Sequence, residues 1–259
     1  MTGPNANRQQ GPSRRQFLLR AGATATGFAL AQGLVDGRLQ ASATTPGTAP
    51  VASRIGIIGS GNIGGAVGLR WAKAGHQILF SSRHPEDLGE LVEQAGAGAR
   101  AGLPGEAAEF GEIVLIAVPY AALPQVGRDY ASAIQGKVVI DCGNPYPGRD
   151  GPMADDALAR GTGVASAEYL PGVRLVRAFN AINYRSVESE ANREGEKVGI
   201  PIAGDDREAV SIVSDLVVDA GFDPVVVGGL QRAREFDQGS PVYVTNMTAA
   251  ELQEALGLR

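Results

Sequence analysis

The run RIGIIGSGNIGGAVGLRWAKAG, residues 54–75, constrains this chain more than any other stretch. A short apolar run ends at a glycine, the spacing Gly59-x-Gly61-x-x-Gly64 follows, and an amphipathic segment begins at once. Gly59 allows the tight turn out of a strand, Gly61 lets the backbone approach a diphosphate with no Cβ in the way, and Gly64 permits close packing of helix on strand. The free amides at the helix start would then face phosphates. A merely structural turn in a glycine-rich chain is the plainer alternative, but strand, spacing and helix agree here.

From Arg54 onward, short apolar runs alternate with helix-length segments, as buried parallel strands with crossover helices do. Strands are expected near Arg54–Ile58, Gln77–Phe80, Ile113–Val118, Val138–Cys142 and Leu175–Phe179. Helices are expected near Gly64–Ala74, Pro85–Gln94, Ala121–Ile134 and Met153–Arg160, several of them closed by glycine, as at Gly75 and Gly161. A further strand, helix and strand follow near Val198–Ala203, Arg207–Ala220 and Pro224–Val227. Thr248 and Glu251 have the spacing of a capping box that opens a short last helix, and no separate all-helical dimerisation domain is expected after it. The fold class this implies is α/β, a doubly wound and mostly parallel Rossmann sheet with a C-terminal strand-helix-strand extension, over residues 54–259. Thirty-six glycines and only 5% aromatic residues suit such alternation better than a β-sandwich.

The second strand selects the cofactor. An acidic residue about 20 positions past the first glycine would bind the ribose 2′-hydroxyl of NAD. The chain instead reads Phe80-Ser81-Ser82-Arg83-His84. Two hydroxyls and a guanidinium suit a 2′-phosphate, which favours NADP(H), although a solvated turn ahead of Pro85 would read the same way. His84 could equally cap the following helix or touch the adenine side.

Ligands of an open α/β sheet collect beyond the carboxyl ends of its strands. Val118, Pro119 and Tyr120 after one strand, and Gly143, Asn144 and Pro145 after the next, should therefore border the nicotinamide, with Ala178 to Asn183 as the far wall. The expected cofactor-binding set is Gly59, Ser60, Gly61, Asn62, Ile63, Gly64, Ser81, Ser82, Arg83, Val118, Pro119, Tyr120, Asn144 and Asn180. Asn180 and Asn183 either hold a carboxamide or ring carbonyl or satisfy loop backbone. Tyr120 and Tyr146 either stack on a ligand or cover the core edge. Hydride transfer to a flat ring depends on proximity and orientation, so no side-chain acid or base is assigned.

Several chemistries are disfavoured. A lone Cys142 forbids an intrachain disulfide, and two histidines, His76 and His84, make a histidine metal centre improbable, so no metal site is expected. Cys142, at a strand end, reads as a small buried hydrophobe. Asp205 and Asp206 read as helix caps. Reduction of imines or small carbonyl acids would call for a proton donor such as lysine, yet Lys73, Lys137 and Lys197 stand away from the expected strand ends. Residues 1–43 carry five arginines and one aspartate, a charge of +4 within the total of -5, so the remainder carries -9, which argues against a nucleic-acid partner.

Those first 43 residues resemble a bacterial twin-arginine signal. Arg14 and Arg15 precede Phe17 and Leu18, a glycine- and alanine-rich stretch runs from Ala21 to Val35, and Ala41-Ser42-Ala43 offers a cleavage site. Residues 44–53 read as a flexible tether. The stretch is too weakly apolar for a permanent membrane span. Export by the twin-arginine translocase to a periplasmic or extracytoplasmic location is expected, and a cytoplasmic one if the leader does not function.

The run from Ile55 through Arg83 resembles the NADPH-dependent F420 reductase family, also described as F420-dependent NADP oxidoreductases. Later blocks continue the resemblance: IAVPY at 116–120, DCGNP at 141–145, VRAFNAIN at 176–183, PIAGDD at 201–206 and DAGFDPV at 219–225. The resemblance implies hydride transfer between NADP(H) and a flavin-like acceptor, F420 or a flavin, stacked on the nicotinamide. A small-molecule redox acceptor is then the expected partner, and a homodimer is compatible with it. The competing expectation is a non-catalytic protein that binds or senses NADP. A reductase must leave the nicotinamide face open to a second ring, so a cavity beside Pro119 and Asn180 discriminates the two.

Overall fold

The computed structural model describes residues 52–259. The expected twin-arginine leader, and all of the tether but its last two residues, lie outside them.

Strands β1 (Arg54–Ile58), β2 (Gln77–Ser81), β3 (Ala99–Gly102), β4 (Ile113–Ile116), β5 (Val138–Asp141), β6 (Arg174–Arg177), β7 (Gly199–Gly204) and β8 (Asp223–Gly228) form one sheet in the order β3-β2-β1-β4-β5-β6-β7-β8. Every neighbouring pair is parallel except β6 and β7. The helices are α1 (Asn62–Lys73), α2 (Gly89–Ala95), α3 (Pro104–Phe110), α4 (Leu123–Asp129), α5 (Ala131–Ile134), α6 (Pro147–Asp150), α7 (Pro152–Arg160), α8 (Thr162–Tyr169), α9 (Tyr184–Glu190), α10 (Arg207–Asp219) and α11 (Ala249–Ala255). The expected doubly wound sheet is therefore present, with β7, α10 and β8 as its extension. No helix among the described residues is long and apolar enough to cross a membrane.

Both faces of the sheet are covered, which is why its central strands read as unbroken apolar runs. Ile113 and Leu115 of β4 and Val138 and Ile140 of β5 join one core with Trp71, Phe80 and Leu216, while Val114, Ile116 and Val139 join the other with Leu123, Ala165 and Leu170. Trp71 fixes α1 against α10: its ring is fully buried, meets Phe179 edge-on, and its Nε1 donates to the Leu216 carbonyl at 2.8 Å. Truncating such a side chain costs about 3–5 kcal/mol.

Some elements differ from the sequence expectation. The edge strand β3, Ala-Arg-Ala-Gly, lacks an apolar run because it pairs only with β2 and is mostly exposed. The single helix expected over 121–134 is a 3-10 turn followed by α4 and α5, broken at Tyr130. The helix expected from Pro85 starts as a 3-10 turn over Pro85–Leu88. Helices α8 and α9 were not expected at all. The capping box stands: the Thr248 amide donates to Glu251 Oε2 at 2.8 Å and the Glu251 amide to Thr248 Oγ1 at 3.3 Å. Asp206 caps α10 through the amides of Glu208 and Ala209, whereas Asp205 instead accepts from the Leu230 amide at 2.9 Å, pinning the 3-10 segment Leu230–Phe236.

Candidate functional site

The strand order reverses direction between β1 and β4, and there the carboxyl ends of the strands open into a trough. Two cavities make it up, of about 630 Å³ and about 460 Å³. They share Ala117, Val118 and Pro119 as a common wall, and the turn from β1 into α1 crosses between them: Gly59, Ser60 and Gly61 face the larger cavity and Asn62 and Ile63 the smaller.

The turn is shaped by its glycines. Gly59 has φ +94°, a conformation that disfavours a side chain. A Cβ on Gly61 would meet nothing within 4 Å, so the space above it is open. No side chain caps α1, and the first amides of that helix are left for solvent or an anion. Gly64 lines neither cavity and acts as the packing contact expected of it.

At the far end of the larger cavity stand Ser82 and Arg83. Arg83 is exposed and makes no hydrogen bond or ion pair among the described residues. Ser82 Oγ accepts from the His84 amide at 3.1 Å, which leaves its own hydrogen free to donate. Ser81 is different. Its hydroxyl is fully buried and donates to the Ile57 carbonyl at 2.6 Å, so it cannot also donate to a phosphate. Together with the Ser81 amide, which donates to Ser60 Oγ at 2.8 Å, it fastens β2 to the glycine turn. The side chain of His84 caps nothing and points to Glu86 at 3.3 Å. One carboxylate, Asp129, also borders this cavity, and it accepts from Gln125 Nε2 at 2.5 Å.

The smaller cavity collects Asn144 and Asn180, as expected, with Asn183 and Tyr146. It also draws in Tyr184 and the loop residues Tyr243 and Val244, which nothing in the local sequence marks out. Among the described residues Arg149 is the one cation on its lining, and no carboxylate of theirs lies there. Asn180 is nearly fully buried. Its backbone carbonyl accepts from Asn144 Nδ2 at 2.8 Å, while its side-chain Oδ1 has no donor among the described residues. The Tyr146 and Tyr243 hydroxyls meet at 2.7 Å. Burial, then the bond to Tyr146, pushes the Tyr243 hydroxyl well above the usual tyrosine range. Asp150 braces this rim by accepting from the Tyr146 and Ala121 amides. Burial works against its charge, yet Arg149 and those amides hold its carboxyl below the ordinary value. Phe179 and Val244 adopt φ of 61° and 59°, rare for non-glycine residues and strained for a β-branched one, a kind of distortion that clusters at ligand sites.

Tyr120 departs from its expected place. Only 1% exposed, it turns beneath the trough, where its hydroxyl meets Ser166 Oγ at 3.0 Å, and it borders neither cavity. Pro119 is exposed shortly after β4, which ends at Ile116 and not at the expected Val118, and the next side chain, Tyr120, is buried in the core. Cys142 is on the cavity floor as a buried thiol, and burial, then the nearby Asp141, pushes it up to about 12. Lys137 lies at the opposite end of the sheet, its Nζ donating to the Ala108 carbonyl at 2.8 Å.

Fold and trough together define a class: a doubly wound α/β protein with a dinucleotide crevice at the switch point of its sheet. Residues 54–145, from β1 to the loop after β5, match the family model described as NADP oxidoreductase, coenzyme F420-dependent. The F420-dependent NADP reductase of Methanothermobacter marburgensis is 28% identical over 200 residues, which cover 72% of this chain and 88% of that protein. The metalloreductase STEAP3 of Rattus norvegicus is 29% identical over 209 residues, 78% of this chain but only 38% of that protein. Among solved structures, a protein from Arthrobacter sp. FB24 assigned as an F420-dependent NADP reductase superposes with a TM-score of 0.63 at 20% identity, over 80% of this chain and 96% of that one.

Proposed function

We propose that this chain is an NADP(H)-dependent oxidoreductase that passes a hydride between the nicotinamide and a flavin-like acceptor, F420 or a flavin. One observation carries the reading: the trough continues past the glycine turn into a second, open cavity beside Pro119 and Asn180. A protein that only stores or senses the nucleotide has no need of that space.

The residues fit the cofactor. The open space over Gly61 and the uncapped start of α1 would hold the diphosphate, and Arg83 and Ser82 would hold the 2′-phosphate, with no acid at the end of β2 to repel it. Bound there, NADP(H) supplies or accepts the hydride. Asn180 Oδ1 waits for a donor such as a carboxamide NH₂, which would fix the ring face. Tyr146, Tyr184 and Tyr243 offer flat surfaces and hydroxyls for a second ring, and Arg149 favours an acceptor with an electron-rich or anionic edge. The names of the methanogen relative and of the family model support F420 as that acceptor. The test mixes purified protein with NADPH and oxidised F420, FMN or FAD and follows the nicotinamide absorbance band. Loss of the band with one acceptor supports the assignment, and none with any of the three overturns it.

The order of Arg14-Arg15, the small-residue stretch and Ala41-Ser42-Ala43 supports export of the chain by the twin-arginine translocase. Replacing both arginines by lysine should retain the protein in the cytoplasm, and unchanged export would reject the leader.

A further inference from the structure

Under the floor of the smaller cavity lies a cluster of charges that the hydride-transfer reading does not use. Arg177 is 0% exposed, Asp141 1% and Asp237 5%. Asp141 and Arg177 end adjacent strands and are register partners, and Arg177 Nη1 donates to Asp141 Oδ2 at 2.7 Å. Arg177 Nη2 stands 3.5 Å from Asp237 Oδ1.

Every polar partner of the two carboxyl groups is a donor. Asp141 accepts from the Gly143 amide at 2.8 Å and from Ser166 Oγ at 2.7 Å, in addition to Arg177. Asp237 accepts from the Thr162 amide at 3.0 Å and from Thr162 Oγ1 at 2.5 Å. With only donors around them, two acidic groups share one guanidinium. The excess negative charge is shielded from water, and its field is therefore screened weakly.

The cluster is wired to the cavity wall. Asp141 is followed directly by Cys142, Gly143 and Asn144, which line the cavity, and Asp237 follows Phe236, whose carbonyl accepts from Asn180 Nδ2 at 3.4 Å. The lining groups feel these charges. After burial, Asp141 raises and Arg177 lowers the Cys142 thiol, and on the Tyr243 hydroxyl, after burial and Tyr146, Arg177 lowers and Asp237 raises.

We propose that the buried Asp141–Arg177–Asp237 cluster biases the nicotinamide lobe towards the oxidised nucleotide, whose ring is cationic, over the neutral reduced one. This rests on the nicotinamide occupying the smaller cavity, as above. Asp237 is a positioning residue in this scheme and touches no ligand. Its charge makes bound NADPH a stronger hydride donor than free NADPH.

Calorimetry with NADP⁺ and NADPH on the full-length protein and on Asp237→Asn tests it. The ratio of the NADP⁺ to the NADPH dissociation constant should rise roughly threefold to tenfold in the variant. A tenfold change equals about 30 mV upward in the potential of the bound two-electron couple. Thr162→Val removes the hydroxyl that steadies Asp237 but keeps the charge, so it should lower the melting temperature and leave the ratio alone. Asp237→Ser makes the same charge change with a smaller side chain and should move the ratio as Asn does. An unchanged ratio in either Asp237 variant, or an equal shift in Thr162→Val, overturns the proposal. Failure of the unaltered protein to bind either nucleotide would overturn the proposed function itself.

Discussion

A Cβ placed on Gly64 would stand 2.2 Å from the carbonyl oxygen of Gly59. The first helix therefore approaches the glycine turn as closely as two backbones allow, and the two glycines are one steric unit. Gly64→Ala should cost about 1–3 kcal/mol of stability, because the atom in the way belongs to the backbone and cannot swing aside. Gly61→Ala meets open space and should leave the urea midpoint nearly unchanged while weakening nucleotide binding, since its methyl group occupies the diphosphate position. Urea unfolding and calorimetry on both variants separate the two effects. Equal loss of stability in both would contradict this division.

Arg83 is an exposed cation at the far end of the larger cavity, with no ion-pair partner among the described residues. Arg83→Glu should weaken NADPH by roughly 10-fold to 100-fold, the worth of a forked charge-assisted contact, and NADH by little. Titration of both nucleotides checks this. Equal losses would place the 2′-phosphate elsewhere.

Arg177 and Asp141 are buried beside each other with no solvent to replace either partner. Arg177→Met alone should destabilise the protein by about 3–5 kcal/mol, because it strands buried carboxylates. The double variant Asp141→Leu with Arg177→Met should lose less than the sum of the single changes. Chemical denaturation of the four species gives the coupling, and strict additivity would show that the pair acts as two independent residues.

Cys142 keeps its proton up to about 12 because the folded chain buries it. An unfolded thiol ionises at about 8.5. The stability this difference contributes is complete below the lower value and is lost as pH climbs from one to the other. At pH 8 iodoacetamide should leave the native protein unmodified and label it fully in denaturant. Rapid native labelling would mean that the thiol is exposed.

Much of the site was legible because its parts are local. The glycine turn, the missing acid after β2 and the proline that follows β4 each sit within a few residues of the backbone feature they serve. Tyr120 leaves the trough, and the Ser81 hydroxyl is engaged elsewhere although Ser81 borders the larger cavity, for one reason: residue type tells what a side chain can bond to but not which side of the strand end it leaves from. The Ser81 hydroxyl turns to the Ile57 carbonyl and the Tyr120 hydroxyl to Ser166. Tyr243 and Asp237 carried no usable signal, since they reach the site from a distant loop. Arg177 and Asp141 did offer a hint, as charged residues closing apolar strands that the pattern marks as buried.

The periodic alternation of apolar runs and amphipathic segments determined the layered α/β architecture, because covering both faces of a sheet demands that pattern from the chain itself. The glycine spacing likewise determined where a diphosphate would rest, because the steric need is met by neighbours in sequence. Only the tertiary structure decided what surrounds the second cavity. Its tyrosines, its strained Phe179 and Val244 and the charges beneath it come from the ends of β5 and β6, the segments that follow them and the C-terminal loop, and their meeting depends on packing across more than 100 residues of chain.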